Sequence, residues 1–590
     1  MNQTRTFLIF ALLMVATLLW MEWGKEQRAP VAVEGTATST AAVDSGATIP
    51  GVPVVTDGAA SNVPGAVPAA PHAAPVPGVS AAPAPTSAGQ VDVRTDVLDL
   101  TLDGGVVARA DLLLFPQTRD EDSPPVRLFD NSPATFYAAQ SGWVSQGSAA
   151  PTHEAGFVPE SAGTRYVLAA DADTLEVPFV WHGPDGVSIR RSYVLTRGSY
   201  AIEVRDTVYN KGDALWQGHV YRQLIRLPQV LKTGWTNPES FSLYGATWFS
   251  PGEGYQRVRY ADFADEGPVN ARQSGGWLAM LQHHFFSAWI PGANDEVTVS
   301  LQATTGAGGA PQYLIREVGP GLAVAPGDQA STSARLWVGP KLVGPIKAQQ
   351  VPGLDRAVDY SRFAFFAFLG EGLFWILNKI HSLVQNWGWS IIGLVLVVKA
   401  VLYPLSKAQY QSMAKMRKFQ PRIAQLKERY GEDKQKFQVA MMELYKKEKI
   451  NPVGGCLPVL LQMPIWLALY WVLLESVELR HAPWIGWIQD LTARDPYFIL
   501  PVLNIIVMWS TQKLTPMVGM DPMQQKMMQL MPLAFGVFMV FFPSGLVLYW
   551  VTNGSLGLLQ QWWLIRKYAD KPDSGKPDAG DKPAKALAGD

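Results

Sequence analysis

The sequence has little of what would build a disulfide-bonded or a nucleic-acid-binding protein. One cysteine, Cys456, occurs in 590 residues, so no disulfide can form within the chain and no multi-cysteine zinc or iron–sulfur site can be built. Lysine and arginine (49) nearly balance aspartate and glutamate (50), which excludes DNA binding through bulk positive charge. Charged residues make up only 17% of the chain, against roughly 25% in soluble proteins. This shortage of charge indicates contact with lipid.

Two segments precede the first region that the sequence predicts to fold. Residues 1–28 contain an apolar run, 7–21, with no small-residue cleavage site behind it. This pattern favours a transmembrane signal-anchor over a cleaved signal peptide. Residues 29–90 are rich in alanine and proline and carry only three charged residues, Glu34, Asp44 and Asp57. A segment with so few bulky apolar side chains cannot bury enough surface to offset the entropy that it would lose on folding. We therefore predict a disordered linker.

Residues 91–350 differ in character from the linker. Short runs alternate apolar and polar residues, as in YAIEVRDTVY (200–209), and glycine, proline, aspartate and asparagine interrupt them at short intervals. Period-two alternation with turn residues predicts a large all-β sandwich domain, and about 260 residues suffice to bury a substantial core. The tryptophans scattered through this region fit either core positions or an aromatic cleft for peptide or sugar.

The chain beyond residue 355 is predominantly apolar. Residues 355–385 repeat apolar side chains at three- and four-residue spacing, which predicts an amphipathic helix in the membrane interface. Five further segments are long and apolar enough to predict transmembrane helices, and with the N-terminal anchor they make six spans. These segments are 386–404, 451–474, 496–513, 526–542 and 544–566.

The distribution of positive charge predicts the orientation in the membrane. The loop 405–450 carries twelve lysine and arginine residues and the tail 569–590 carries further lysines, whereas 475–495 holds only Arg480 and Arg494. Positive residues concentrate on the cytoplasmic side, so we expect both termini in the cytoplasm and the β domain in the periplasm of a bacterial inner membrane. The predicted fold class is a polytopic α-helical membrane protein with a large periplasmic all-β sandwich domain and a cytoplasmic helical hairpin.

Lys399 is the charged residue that lies deepest within a predicted span. A charge there costs roughly 2.5–3.5 kcal/mol on insertion scales, so the side chain should either face protein and water or reach the cytoplasmic interface. One or two polar residues in other spans would serve as contacts between helices, but a larger number together with a lysine predicts a hydrated intramembrane groove. The polar candidates are Gln462, Asn504, Ser510, Gln512, Thr552, Asn553, Ser555, Gln560 and Gln561.

The loop 405–450 has a helical pattern of its own. Apolar residues recur at three- and four-residue spacing up to Tyr430 and again beyond Asp433, with a stop and a new start between them. This pattern predicts an antiparallel helical hairpin with a narrow apolar seam and a basic exterior. The hairpin is either a structural element or a docking surface for an acidic or RNA-bearing partner. The candidate docking residues are Lys415, Arg417, Lys418, Tyr430, Gly431, Glu432 and Asp433.

Two other functions compete with a groove for polypeptide. An intramembrane hydrolase would pair Ser390 with Lys399 as a base, but the two lie nine residues apart on one predicted helix, and no predicted span contains a histidine. A secondary transporter would favour paired intramembrane charges and inverted repeats, and the sequence has one deep charge and no repeat. We therefore expect no catalytic residue, no metal and no cofactor, and the chain has no phosphate-binding loop.

Several short motifs resemble one known family in the same order along the chain. They are NWGWSII (386–392), YPLSKAQY (403–410), MAKM (413–416), NPVGGCLP (451–458), QMPI (462–465), DPMQQK (521–526) and FPSGLVLY (542–549). Together they resemble the YidC family of membrane protein insertases of Gram-negative bacteria, densely over 355–568. The anchor, linker and β domain agree with that family in order and size.

The resemblance implies a non-enzymatic insertase and chaperone, acting alone or with the Sec translocon, whose five-helix core forms a groove open to the cytoplasm and to lipid. Lys399 stands where the family has an arginine that attracts the acidic part of an incoming chain; the charge is kept without the bidentate fork. Tyr549 and Trp550 replace a pair of tyrosines, and Met463 and Trp466 match positions along which a substrate helix slides. The implied partners are nascent membrane proteins, the Sec translocon, the ribosome with the signal recognition pathway, and membrane lipids, without direct DNA binding.

Overall fold

The structure is a computed structural model that describes residues 89–145, 147–228, 242–263, 269–305, 311–361, 363–430, 433–447, 457–514 and 522–569. The predicted signal-anchor, the linker up to residue 88 and the tail from residue 570 lie outside the described residues, as do Gly431, Glu432 and Cys456. The described residues within Lys415–Pro452 belong to one compact unit, and the β-strands and the helical residues outside that range belong to a second unit.

Residues 90–340 form nineteen strands within the described ranges. In chain order they are β1 (Gln90–Arg94), β2 (Leu98–Asp103), β3 (Val106–Pro116), β4 (Pro125–Phe129), β5 (Tyr137–Ser145), β6 (Val158–Pro159), β7 (Arg165–Val167), β8 (Thr174–His182), β9 (Val187–Thr196), β10 (Ala201–Asn210), β11 (Trp216–Arg226), β12 (Gly245–Ser250), β13 (Gly254–Arg259), β14 (Val269–Ser274), β15 (Trp277–Leu281), β16 (Phe285–Ile290), β17 (Glu296–Thr305), β18 (Pro311–Val324) and β19 (Gln329–Pro340). The first sheet has the order β14-β17-β18-β11-β5-β3-β2-β1-β7, with β4 beside β3, and the second has the order β13-β12-β15-β16-β19-β10-β9-β8-β6.

The alternation of apolar and polar residues places one face of each strand in a core. On β10, Ile202, Val204, Asp206 and Val208 are buried, while the residues between them are partly or fully exposed. The prediction of an all-β domain is therefore confirmed. Among the described residues of this domain, five tryptophans are almost completely buried and therefore serve the core: Trp143, Trp216, Trp277, Trp289 and Trp337.

A buried polar network joins the two sheets. Arg191 on β9 donates through Nε and Nη2 to the carboxylate of Asp206 on β10, at 2.8 and 2.7 Å. From the other sheet, the indole of Trp143 donates to the same carboxylate at 2.7 Å, and the carbonyl of Ser141 accepts from Arg191 at 3.1 Å. A buried ion pair is tolerated when its remaining donors and acceptors are satisfied, as they are here. The network holds β5 against β9 and β10.

Ten α-helices follow within the described residues. They are α1 (Val343–Ala348), α2 (Ala364–Val384), α3 (Trp387–Val401), α4 (Tyr403–Lys418), α5 (Gln420–Tyr430), α6 (Lys434–Lys447), α7 (Leu457–Glu475), α8 (Ile499–Leu514), α9 (Pro522–Met539) and α10 (Ser544–Ala569). Among the described helices, none by itself has both the length and the hydropathy of a membrane span; α3 and Tyr403–Gln411 of α4 meet both criteria as a pair, across a 63° bend. The count of six spans stays a prediction.

The bend shortens the helix predicted for 386–404. The side chain of Asn386 accepts a hydrogen bond from the backbone nitrogen of Trp389 at 3.1 Å and so caps the start of α3. The helix ends at Val401. Pro404, in the first turn of α4, has no N–H to donate to the carbonyl of Ala400, so the hydrogen-bond ladder is interrupted there. The chain changes direction at this interruption, three residues before the predicted end.

The apolar helices pack in a connected layer around α8 and α10. Helix α2 contacts α3 and α7, α10 contacts α3, α7 and α8, and α9 contacts α8. Two glycines allow close approach: a Cβ on Gly536 would lie 1.9 Å from Ile505, and one on Gly554 would lie 2.8 Å from Val507. Because neither position has room for a side chain, α8 lies tightly between α9 and α10.

Helices α5 and α6 form the hairpin in the separate unit. Ile423, Met441 and Tyr445 are buried between them. The carboxylate of Asp433 accepts hydrogen bonds from the backbone nitrogens of Gln435 and Lys436, both at 3.1 Å, and so caps α6. The second helix therefore starts where the Glu432-Asp433 signal places it.

Candidate functional site

Lys399 lines an open cavity of about 450 Å³ between α3, the start of α4 and α10. The lining is otherwise apolar or uncharged and consists of Leu396, Lys399, Ala400, Tyr403, Leu556 and Gln560. Residues three or four apart share one face of a helix, which explains why these positions on α3 and α10 face the same space. Within the part of the chain that the structure describes, no carboxylate forms an ion pair with Lys399. An ammonium without a counter-charge creates a local positive potential that attracts water and anionic groups.

The lysine nitrogen lies close to a glycine on α10. A Cβ on Gly557 would stand 3.5 Å from Nζ of Lys399 and 3.9 Å from the hydroxyl of Tyr410. The Tyr410 hydroxyl, on α4, donates to the carbonyl of Gly557 at 3.2 Å. A backbone carbonyl of α10 thus accepts a side-chain hydrogen bond next to the ammonium, and the small residue leaves space for both groups.

Two of the predicted polar residues meet across α7 and α10. The amide nitrogen of Gln462 donates to the amide oxygen of Asn553 at 3.2 Å. Asn553 lies three and seven residues before Leu556 and Gln560, so all three share one face of α10. The amide pair therefore lies about one helical turn from the lining residue Leu556, where α10 meets α7.

An aromatic cluster adjoins the amide pair on α7 and α10. The rings of Trp466 and Trp550 meet edge to face with centroids 5.1 Å apart, and Phe535 of α9 meets Trp550 at 5.2 Å. Edge-to-face pairs contribute about 0.5–1.5 kcal/mol beyond the burial of their area. Met463 differs from this cluster because 48% of its side chain is exposed. Met463 and Trp466, the positions along which the resemblance implies that a substrate helix slides, thus both lie on α7. Trp466 packs against other rings, whereas Met463 is exposed.

Other candidate residues occupy different surroundings. Tyr549 and Asn504 are buried, and the amide of Asn504 points at the sulfur of Met508 on its own helix, at 3.7 Å. Ser510 and Thr552 are half-buried on α8 and α10. The structure therefore brings Gln462 and Asn553 together beside the cavity, whereas Tyr549 and Asn504 pack inside the helix layer.

The geometry of Ser390 does not fit a nucleophile. Its side chain is completely buried, and its hydroxyl donates to the carbonyl of Asn386 on the same helix, at 2.7 Å. Lys399 lies nine residues further along α3, at the cavity. A hydrolase needs the nucleophile within hydrogen-bond reach of its base, and this pair does not meet that condition.

The candidate docking residues lie on α4, on α5 and in the connection that leads to α6. Lys415, Arg417 and Lys418 lie in the last turns of α4, and Tyr430 ends α5. Asp433 is half exposed and pairs with Lys436 at 3.2 Å in addition to capping α6. Hydrogen bonds from the backbone and side chain of Lys436 lower the pKa of the Asp433 carboxyl. Asp433 therefore has a structural task whatever the hairpin binds.

Gln560, one of the polar residues that the sequence places inside an apolar run, forms part of the cavity lining. Two other residues at the cavity are not among the sequence candidates: Gly557 and Tyr410 lie next to the lysine nitrogen. Gly557 follows Gly554 at the three-residue spacing of a close helix contact, but that spacing names no partner. Tyr410 has no local signal, because its role depends on the bend before α4.

Comparison with known proteins defines the class. The helical region matches the 60Kd inner membrane protein family over residues 379–571, and the β region matches the YidC periplasmic domain over residues 90–376. The chain is 58% identical to the membrane protein insertase YidC of Xanthomonas campestris pv. campestris over 97% of this chain and 98% of the relative. The same protein of Stenotrophomonas maltophilia is also 58% identical, with the same coverage.

A solved structure described as an active YidC insertase with its first transmembrane domain resolved aligns with 81% of this chain and 93% of its own, at 18% identity and a TM-score of 0.36. The two family matches define an inner membrane protein with a periplasmic domain. The near full-length identity to the curated relatives goes further: the chain belongs to the YidC family of membrane protein insertases.

Proposed function

We propose that this chain inserts nascent membrane proteins into the inner membrane through the cavity that Lys399 lines, and that it assists their folding there. The observation that carries the proposal is an ammonium without an ion-pair partner among the described residues, in an open cavity of about 450 Å³ between α3 and α10. Membership of the insertase family supplies the class of substrate.

The ammonium and the amides act on the polar part of the substrate. Water drawn into the cavity by Lys399 shortens the stretch of hydrocarbon that a hydrophilic segment must cross. An acidic segment gains a favourable electrostatic interaction with the lysine when it enters. Gln462 and Asn553 offer further donors and acceptors, so a passing backbone is not left without hydrogen bonds.

The apolar part of the substrate drives the reaction to completion. Met463 presents an exposed thioether on α7, and flexible methionine side chains suit apolar partners of varied shape. A substrate helix that moves along α7 leaves the cavity for lipid, with a gain of about 25 cal/mol per Å² of apolar area removed from water. This gain needs no nucleotide.

The proposal includes an orientation and a set of partners. Both termini and the hairpin α5–α6 lie in the cytoplasm, and the β domain lies in the periplasm, on the basis of the twelve basic residues of 405–450. The hairpin receives ribosomes and the signal recognition pathway through its basic exterior. For larger substrates the chain works with the Sec translocon, and membrane lipids contact the outward apolar faces, such as Phe368 and Trp375 of α2.

The test compares two substitutions of Lys399 in proteoliposomes that contain the purified full chain. Lys399→Glu should abolish insertion of a small single-span protein with an acidic leading segment, because it turns attraction into repulsion. Lys399→Arg should retain insertion, since it keeps the charge. A substrate whose leading segment is uncharged serves as the control and should lose less. Normal insertion of the acidic substrate by both variants would refute the role of the cavity charge.

A further inference from the structure

The last turn of α7 is held by the β domain. The backbone carbonyl of Leu474 accepts hydrogen bonds from Nε2 of His283 at 2.9 Å and of His284 at 3.4 Å. Both histidines lie in the turn between β15 and β16. Carbonyls in the last turn of a helix have no partner within the helix, so these imidazoles supply one. Burial, followed by the neighbouring His283, lowers the pKa of His284 well below its usual range, which keeps that ring neutral.

A buried ion pair lies beside this contact. Nζ of Lys341, directly after β19, is 3.3 Å from Oε2 of Glu475, the last residue of α7. Side-chain exposure is 0% for the lysine and 2% for the glutamate. The backbone nitrogen of Lys341 donates to the carbonyl of His284 at 2.9 Å, so the lysine and the two histidines form one rigid group.

The segment that follows α7 continues the attachment. The carboxylate of Glu478 accepts a hydrogen bond from the backbone nitrogen of Val343 at 3.4 Å. The guanidinium of Arg480 donates to the carbonyl of Gln117 at 3.0 Å and lies over the ring of Phe285. Contacts from residues just after β3, β15 and β19, and from the first residues of β16 and α1, thus converge on the end of α7 and the segment that follows it.

The attached helix carries the substrate-facing residues. Trp466 lies nine residues before Glu475, about 13–14 Å along a helix that rises 1.5 Å per residue. A helix rotates about its axis as a unit. The rotational position of Glu475 therefore determines whether Trp466 faces Trp550. A rotation by one residue, about 100°, would leave Lys341 opposite Leu474 or Ser476, neither of which has a negative charge. Asp359 also interacts electrostatically with Lys341, but it already pairs with Arg257. A buried ammonium that loses its direct partner is unfavourable, so the ion pair with Glu475 favours a single rotation of α7.

We propose that Lys341 and Glu475 are positioning residues, through which the β domain sets the rotation and depth of α7 and thereby aligns Met463 and Trp466 with the cavity. The proposal rests on the proposed function, since it concerns alignment of the same insertion site. The pair touches no substrate. Insertion depends on the orientation that the ion pair imposes on α7, and not on the amount by which the pair stabilises the fold.

The experiment separates positioning from stability with four variants of the full chain in proteoliposomes. Lys341→Met and Glu475→Gln each remove one charge. The exchange Lys341→Glu/Glu475→Lys restores a pair, and Lys341→Met/Glu475→Leu replaces it by apolar contact. Lys347→Met, at an exposed lysine of α1, is the control. The two readouts are the amount of substrate inserted and the substrate positions that cross-link to a photoreactive residue placed at Met463.

Positioning predicts a specific pattern. Each single variant should lower insertion by about fivefold, the factor that one lost contact of ordinary strength gives, and should shift the cross-linked positions. The exchange should restore both readouts. The apolar pair should keep the parent's thermal stability, as apolar replacements of buried pairs often do, yet leave insertion low and the cross-links shifted.

Two results would overturn the positioning role. One is unchanged insertion and cross-linking in both single variants; the other is full insertion by the apolar pair, which would make Lys341 and Glu475 purely stabilising. Lys399→Glu runs in the same assay. If it loses insertion while the Lys341 variants do not, only the positioning proposal fails, whereas normal insertion by Lys399→Glu would refute the function on which it rests.

Discussion

The ammonium of Lys399 faces Gly557 across the contact between α3 and α10. A methyl group on that glycine would stand 3.5 Å from the lysine nitrogen, an ordinary van der Waals distance, and 3.9 Å from the hydroxyl of Tyr410. The space that the cavity offers to a substrate next to the charge is therefore set by the size of residue 557. This relationship leads to the first prediction.

Gly557→Ala should leave insertion near the parental level, because the added methyl group fits. Gly557→Leu should obstruct the cavity and lower insertion strongly, while overpacking costs about 1–3 kcal/mol of stability. The measurement is insertion of an acidic single-span substrate into proteoliposomes. Gly372→Leu is the matched control, since Gly372 is also helical and a Cβ there meets no atom within 4 Å. Full activity of Gly557→Leu would show that substrate does not pass this point.

The amide pair of Gln462 and Asn553 gives a second prediction. Asn553→Leu should cost about 1 kcal/mol, the typical size of a hydrogen bond between membrane helices. The double variant Gln462→Leu/Asn553→Leu should recover thermal stability in detergent, because no amide is left unpaired. Insertion by the double variant should stay reduced if the polarity of this face serves the substrate. Parental insertion by the stable double variant would instead assign the pair to helix packing alone.

The basic end of α4 gives a third prediction. Reversing Lys415, Arg417 and Lys418 to glutamate should weaken binding of ribosomes to the detergent-solubilised chain, with a reduced dependence on salt. Reversing Arg165, Lys211 and Lys347, three exposed basic residues outside the hairpin, is the control with the same change in net charge. Cosedimentation at several salt concentrations measures the effect. Equal losses from both sets would indicate a general effect of charge rather than a docking surface on α4.

The buried Glu478 makes stability depend on pH. Burial raises the pKa of Glu478 to about 7, from an ordinary value of 4.5. The folded chain therefore holds this proton more tightly than the unfolded chain, so the unfolding free energy falls as pH rises from about 4.5 to about 7 and changes little above that. The shift corresponds to about 3 kcal/mol at most.

Thermal unfolding between about pH 5 and pH 8 measures this effect. Glu478→Gln should flatten the profile, because the amide has no proton to lose. Part of the slope should remain, since burial also raises the pKa of Asp359 to about 6 despite its pair with Arg257. An identical profile for Glu478→Gln and the parent would contradict the assignment.

Prediction from the sequence succeeded where a local pattern has a single structural solution. The alternation in β10 gave the buried face of a strand, and Asp433 after a glycine gave the start of α6. Prediction was less accurate where an interruption of the helix changes which distant residues come into contact. Pro404 is visible in the sequence, but the 63° bend that it accompanies, and the contact of Tyr410 with Gly557, are not.

The amino-acid sequence alone was sufficient to predict the all-β character of the first domain, the apolar helical character of the second, the place of Lys399 on an apolar helix and, through its motifs, the family. These properties depend on neighbouring residues and on composition. The contact of Gln462 with Asn553, 91 residues away, and the pairing of Lys341 with Glu475, 134 residues away, become visible in the folded chain alone. Such pairs follow from the packing of whole elements, which brings distant residues to one place at distances that no local pattern encodes.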